Sequence, residues 1–377
     1  DMADAKELPA ATQKRLRFDE SKLAVCLDGI AQLIALPDPN GRVLMQTLLD
    51  DGLLLKKVSC PIGVIGVIFE ARPDALVQIS TLCINSGNCC LLKGGSETAN
   101  TNAKLFEIIL TAAMEAGLPE GSLGLLQSRQ DVRDMLKLNG SIDLIIPRGS
   151  NAFVQYIMNN TSIPVLGHAD GICHVYVDKD ADIAEAVRIV TDSKAQYVSV
   201  CNAAETLLVH RDIAAEALPQ IAKSLKEAGV TIVGCPETCG IIAVQPASEE
   251  DWKTEYLDYK ISVKIVGSAR EAAEHINRYG SGHTDAIVTK NAQTAEYFMD
   301  AVDSANVYWN CSTRFADGYR YGFGAEVGIS TNKIHARGPV GLDGLMIYKY
   351  KLYGSGQTVG EYADGKKHFK HIQLPCK

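Results

Sequence analysis

The chain has 377 residues, a formal net charge of −8 and 46% hydrophobic residues. That length admits two domains with large cores, and the acidic balance without a basic tract excludes a typical nucleic-acid binder. No apolar run reaches membrane-spanning length and nothing at the start reads as a signal peptide, so the 11 scattered cysteines read as reduced thiols of a cytoplasmic protein, or of an organelle matrix in a eukaryote.

Residues 20–36 carry apolar side chains at helical spacing (Leu23, Leu27, Ile30, Leu33, Ile34), and Pro37-Asp38-Pro39-Asn40-Gly41 stops that helix. Residues 43–49 and 53–59 flank Asp50-Asp51-Gly52 and read as a hairpin, with a helix as the competing reading of the first arm. From residue 64 the pattern alternates. Strands at 64–69, 89–92, 123–127, 144–146 and 163–166 are separated by helices, of which 74–85 and 98–116 are the clearest. Continuous apolar strands alternating with helices predict a parallel sheet covered on both faces, a Rossmann-like doubly wound α/β domain. A second alternating series has strands at 174–177, 206–210, 231–233, 241–244, 262–266 and 285–288. Residues 345–353 and 357–362 around Gly354-Ser355-Gly356 read as a C-terminal hairpin with exposed edges. The domains so predicted are 1–171 (with the 43–59 arm), 172–344 and 345–377.

Cys201 is the centre of the chemical reading. Helical spacing over 182–194 gives way to the β-branched, aliphatic run 206–210, so Cys201 sits in a loop between a helix and a strand. Loops on rigid elements are where reactive side chains concentrate; a small buried thiol is the competing reading. Arg148-Gly149-Ser150 ends a strand and opens a helix. The amides there, Gly149 and Ser150, suit a pyrophosphate, and a plain turn would look the same. Asn310 and Arg314 follow a strand of the second series, and Arg314 suits a substrate carboxylate. Arg72 is a second candidate, for a phosphate, and Asn202 is placed with this substrate set; for each arginine a structural ion pair is the alternative. Cys235 and Cys239 lack the second pair that a zinc site needs, so no metal is expected.

Several stretches carry a resemblance. Ser-Val-Cys-Asn-Ala-Ala-Glu-Thr at 199–206 resembles the nucleophile segment of the gamma-glutamyl phosphate reductases, members of the aldehyde dehydrogenase superfamily. Similar agreement runs through Pro-Ile-Gly-Val-Ile-Gly-Val-Ile-Phe-Glu-Ala-Arg-Pro at 61–73, Leu-Leu-Lys-Gly-Gly-Ser-Glu-Thr at 91–98, Ile-Cys-His-Val-Tyr-Val-Asp at 172–178, Tyr-Gly-Ser-Gly-His-Thr-Asp-Ala-Ile-Val-Thr at 279–289 and Gly-Ala-Glu-Val-Gly-Ile-Ser-Thr at 324–331.

The resemblance implies an aldehyde dehydrogenase-like fold: a Rossmann-like cofactor domain, an α/β catalytic domain beginning near residue 172, and a β-hairpin arm that pairs with a partner subunit in a homo-oligomer. It implies reduction of L-glutamyl 5-phosphate to the 5-semialdehyde in proline biosynthesis, through a Cys201 thioester. Lys93 and Ser96 would lie at the adenosine ribose, favouring NADPH, and Glu255 would hold the nicotinamide ribose. A glutamate 5-kinase, separate or fused, would supply the substrate; a start without methionine fits a trimmed chain, or the reductase domain of a bifunctional delta-1-pyrroline-5-carboxylate synthase.

Ordinary aldehyde dehydrogenases carry an oxyanion-hole asparagine where this chain has Ala71, and a glutamate base where it has Gly167-His168-Ala169-Asp170-Gly171. His168 is a possible substitute base but reads as a surface-loop histidine. The alternatives are a hydrolysing NAD(P)-dependent aldehyde dehydrogenase, which that double departure disfavours, and a non-catalytic member of the fold.

Overall fold

The structure is a computed structural model that describes residues 1, 13, 16–70, 72–168 and 170–376. After helix Glu20–Ala35, the chain forms a hairpin of β1 (Val43–Asp50) and β2 (Leu53–Pro61). The turn places Gly52 at φ 68°, a conformation glycine adopts without strain. The helical alternative for 43–49 is thereby replaced.

β3 (Val64–Phe69), β4 (Cys89–Lys93), β5 (Leu123–Leu126) and β6 (Leu144–Arg148) form an all-parallel sheet in the order β5-β4-β3-β6. Residues 163–166, expected as a further strand, contribute only one bridge, Val165 to Ile145. Pro164 has no N–H to give a ladder, and its carbonyl accepts from Ile145 instead.

The second sheet holds β7 (Cys173–Val177), β8 (Ala204–His210), β9 (Thr231–Gly234), β10 (Gln245–Pro246), β11 (Lys260–Val266), β12 (Thr284–Val288) and β13 (Asn306–Trp309). Its order is β10-β9-β11-β8-β7-β12-β13, all parallel. β7, β8 and β12 are buried at every position, as expected for central strands covered on both faces. The strand expected at 241–244 is absent: Pro236 starts helix Pro236–Ile241, and only Gln245–Pro246 pairs with β9.

The remaining chain turns back. β14 (Gly328–Ser330) and β15 (Gly338–Val340) form a short ribbon. Ala325, Val327, Val340, Leu342 and Leu345 share one core with Ile65, Val67, Leu76 and Leu92. The first sheet is thus packed by two distant pieces of chain, while Lys333 and Arg337 of the later piece pair with Asp303, just before β13.

β16 (Met346–Tyr353) does not fold back on residues 357–362. It pairs antiparallel with β2, from Met346 opposite Pro61 to Tyr353 opposite Leu54. Residues 359–363 are helical, and β17 (Ile372–Leu374) pairs with β1. The arm is therefore one four-stranded sheet, β16-β2-β1-β17, not a C-terminal hairpin. The physical reason is local. Gln357 donates to the Asp51 carbonyl at 2.9 Å and accepts from the Ser355 N–H, so the glycine turn is pinned to the β1–β2 turn instead of returning the strand.

Behind the Cys201 loop sits a buried ion pair. Lys194, in the last turn of helix Ile183–Ala195, meets Glu205 on β8 at 2.5 Å, and both are fully buried. Burial pushes Glu205 up to about 7 and pushes the Lys194 ammonium down, each opposed by its partner. Lys194→Met would leave a lone buried carboxyl and should cost about 3–5 kcal/mol in urea unfolding. Glu205 would then have a folded pKa above its unfolded value of about 4.3. The stability it retains by protonation is present at low pH and is lost as pH rises through the folded pKa. The deficit relative to the parent chain should therefore be smallest near pH ~4–5 and widen through neutrality. A deficit independent of pH would refute this reading of the pair.

Candidate active site

Two strand edges meet at Cys201. β3, β4 and β6 end at Phe69, Lys93 and Arg148, and β7, β8 and β12 begin at Cys173, Ala204 and Thr284. The carboxyl edge of the first sheet therefore faces the amino edge of the second. Glu255 ties the two together: one carboxylate oxygen accepts from the Gly171 N–H at 2.9 Å, the other from Asn151 Nδ2 at 2.7 Å. Burial pushes the Glu255 carboxyl up, against these two donors.

The Cys201 loop, 196–203, is fixed from several sides. Cys173 Sγ donates to the Cys201 carbonyl at 3.2 Å. Thr313 Oγ1 donates to the Asn202 carbonyl at 2.7 Å, and Asn202 Nδ2 donates to the Ala316 carbonyl at 2.8 Å. Gly171 lies so close that a β-carbon there would stand 2.1 Å from the Cys201 carbonyl oxygen and 2.5 Å from its Cα. Cys201 itself is half-buried and a free thiol.

Two histidines share the site. His168 donates from Nδ1 to the Ile329 carbonyl at 2.7 Å, leaving Nε2 as the acceptor nitrogen. Its ring meets His283 edge-on, with centroids 4.9 Å apart. A nitrogen of each and Cys201 Sγ all lie within 4.8 Å of one another. Burial holds the His168 imidazole below its ordinary value, so the neutral base form is favoured. His168 is thus no surface-loop histidine: its ring is held inward by the Ile329 carbonyl and by His283. His283 was not singled out from sequence. The available signal was that both histidines sit in glycine-containing loops immediately before strands of the second series.

Arg148 was also missed as a side chain. It is partly buried, 3.9 Å from Glu326, and its guanidinium is held below its ordinary value by burial and by nearby Arg72, with the Cys201 charge acting in the opposite sense. Arg72, at the amino end of helix Pro73–Ser86, is thereby near the same place. Arg314 is buried; its Nε donates to Gln196 at 3.0 Å, and it too feels Cys201. Arg148 and Arg314 therefore both act on Cys201, with Arg72 beside Arg148.

The other expected residues have the following surroundings. Asn310, at φ 54°, spends its side-chain amide on the backbone N–H and carbonyl of Thr289, and Asn202 is buried on Ala316; both brace loops. Lys93 is buried at the end of β4, donating to the Gly94 carbonyl, while Ser96 is exposed in the turn after it. Gly149 and Ser150 are exposed at the start of helix Asn151–Asn159, and the Ser150 N–H donates to the Glu70 carboxylate at 3.1 Å. That amide already draws a negative oxygen. Ala71 and Ala169 lie outside the described residues.

Gly171→Ala should force the two loops apart and lower turnover at least ~100-fold, because a shift of about 1 Å at the reacting atom is enough for such a loss. Steady-state rates beside a thermal melt test this. Near-parental turnover in the folded variant would mean that the Gly171–Cys201 approach is not needed.

A model described as the aldehyde dehydrogenase family matches residues 40–238. The chain is 64% identical over 361 residues to a gamma-glutamyl phosphate reductase of Acetivibrio thermocellus, covering 96% of this chain and 84% of that one. It is 62% identical over 372 residues to that of Pelotomaculum thermopropionicum, covering 99% and 86%. A crystal structure of gamma-glutamyl phosphate reductase from Thermotoga maritima superposes with a TM-score of 0.92 at 40% identity, over 95% of this chain and 87% of that one. An acetylating aldehyde dehydrogenase from Geobacillus thermoglucosidasius, 15% identical with a TM-score of 0.63 over 95% and 96%, shares the fold. The chain belongs to the aldehyde dehydrogenase family, among its gamma-glutamyl phosphate reductases.

Proposed function

We propose that this chain reduces L-glutamyl 5-phosphate to L-glutamate 5-semialdehyde with release of phosphate, the oxidoreductase step its family name describes in proline biosynthesis. The observation that carries the reading is the placement of one thiol, Cys201, between two facing sheets, with Arg148 and Arg314 acting on it and Arg72 beside Arg148. Cys201 Sγ attacks the acyl carbon, the carbon–oxygen bond to phosphate breaks, and a thioester remains. His168 Nε2 takes the thiol proton. Arg148 and Arg72 hold the departing phosphate; Arg314, its plane fixed by Gln196, grips the substrate carboxylate. A dianionic leaving group is the reason to gather cations here, and neither arginine would be needed by a simple aldehyde.

Family membership implies a nicotinamide cofactor, and the residues fit one along the ends of β4 and β6. Lys93 and Ser96 would take the adenosine ribose, with NADPH favoured because Lys93 suits a 2′-phosphate. Gly149 and Ser150 would take the pyrophosphate in place of the Glu70 carboxylate. Glu255 would meet the nicotinamide ribose while keeping its bridge to Gly171 and Asn151. When bound, the reduced nicotinamide supplies the hydride that takes the thioester to the aldehyde.

The acyl phosphate would come from a glutamate 5-kinase, and the enzyme would work as a homo-oligomer in the cytoplasm. Ile347, Tyr348, Tyr350 and Leu352, exposed on the outer strand β16, supply an apolar edge for a second copy. Among the described residues no helix is long and apolar enough to cross a membrane.

The phosphate chemistry is tested in the oxidative direction with the semialdehyde and NADP. Steady turnover should require added phosphate, with arsenate as a substitute, and Cys201→Ala should be inactive while still binding cofactor. Sustained phosphate-independent turnover that yields glutamate would instead make the chain a hydrolysing dehydrogenase. Lys93→Ala should weaken NADPH by roughly 1–3 kcal/mol more than NADH; equal losses would move Lys93 away from the 2′-phosphate.

A further inference from the structure

The same three side chains that surround the reacting thiol have the composition of a soft-metal site. Cys201 Sγ and one nitrogen each of His168 and His283 lie within 4.8 Å of one another. Neither histidine is free to swing. His168 is oriented by its Nδ1–H on the Ile329 carbonyl, the kind of bond that metal-binding imidazoles make through their other nitrogen. His283 is fully buried; its Nδ1 lies 2.8 Å from Thr284 Oγ1, and its Nε2 has no hydrogen-bond partner. A buried ring nitrogen without a partner is costly, and here the ring that carries it is a member of the cluster that contains the thiol.

We propose that His168, His283 and Cys201 bind one divalent cation of the zinc class, and that this cation reversibly blocks the enzyme. Zinc–sulfur and zinc–nitrogen bonds of about 2.3 and 2.0–2.1 Å put tetrahedral ligand atoms roughly 3.4 Å apart. The three groups must therefore draw together by about 1.4 Å at most, which side-chain torsions, that of Cys201 above all, supply without moving the loops. The thiol loses its proton to solvent as the sulfur–metal bond forms, and both imidazoles bind neutral through Nε2. The fourth position stays open to water. Glu255 and Glu326 act on His168 with a sign that favours a cation, and Arg148 opposes them. The donor set, two imidazoles and a thiolate, selects zinc-like ions over magnesium. A sulfur bound to a cation is a weaker nucleophile, and the ion fills space that the acyl carbon must enter, so turnover falls until a chelator removes the ion. That last consequence rests on Cys201 being the nucleophile; metal binding does not.

The test uses the full chain, stripped with a chelator, and cadmium as the probe. One equivalent of cadmium should give a thiolate-to-metal charge-transfer absorption. Cys201→Ser should abolish it, and His283→Gln or His168→Gln should weaken binding about 10–100-fold. Zinc at one equivalent should slow alkylation of Cys201, followed by peptide mass, while leaving exposed Cys376 unprotected; magnesium should do neither. A full absorption band in Cys201→Ser, or unchanged affinity in a folded histidine variant, overturns the site. Should His283→Gln fail to fold, half-buried His168 and the alkylation assay still decide. If cadmium binds with the expected variants while zinc leaves turnover untouched, the metal site stands, and both the block and the assignment of Cys201 as nucleophile fall.

Discussion

The Lys194–Glu205 pair is the constraint on which the reactive loop depends. Two opposite charges, fully buried at 2.5 Å, join the end of one helix to the start of β8 and close the eight-residue loop 196–203 between them. Removing either partner would strand a charge in a low dielectric, so the pair keeps the two loop ends together. Glu205 also accepts from the Leu257 N–H at 3.2 Å, where the backbone is held at φ 52°. Two residues earlier, Glu255 reaches Gly171 and Asn151. A polar chain thus runs from behind the thiol, through Leu257 and Glu255, to the start of β7 and the end of β6. Each link fixes the next, and the facing of the two sheet edges follows from it.

The chemistry draws on this rigidity in two ways. The cations come from different layers: Arg72 and Arg148 from the first sheet, Arg314 from the turn after β13. Neither layer alone would surround an acyl phosphate. The imidazole and the thiol both come from the second sheet's amino edge, where the loops before β7, β8 and β12 lie side by side because those strands are neighbours in the order β8-β7-β12. Strand order, rather than sequence proximity, is what brings residues 168, 201 and 283 together.

That distinction explains how far the sequence could be read. Apolar runs and helical spacing located both parallel sheets, because strands buried on both faces leave an unbroken hydrophobic signal. The loop position of Cys201 followed from the change of period on either side of it. The failures were of two kinds. Pro164 and Pro236 override the apolar pattern around them, the first by lacking a ladder donor and the second by starting a helix. The C-terminal arm failed because β-pairing is non-local: nothing near residues 346–353 says that β2, almost three hundred residues earlier, is a better partner than the next strand-like run. Side-chain roles were harder still. Asn310 uses both ends of its amide on the Thr289 backbone, whereas Asn202 uses only its Nδ2, on the Ala316 carbonyl, and keeps a buried Oδ1 without a partner. Arg148 and His283 sat in plain segments, and only the fold gave them a common neighbour.

The first sheet's core is completed by Val327, Val340, Leu342 and Leu345, which follow the entire second sheet in sequence. On the ribosome, the amino-terminal layer therefore emerges well before the residues that seal it. Ile65, Val67 and Leu76 must wait through the synthesis of more than two hundred residues, while the second layer, continuous in sequence, can close first. The nascent chain so acquires its order of assembly from its connectivity: the later-made layer matures early, and the earlier-made one carries an open apolar face, a natural handle for a chaperone, until the return segment arrives.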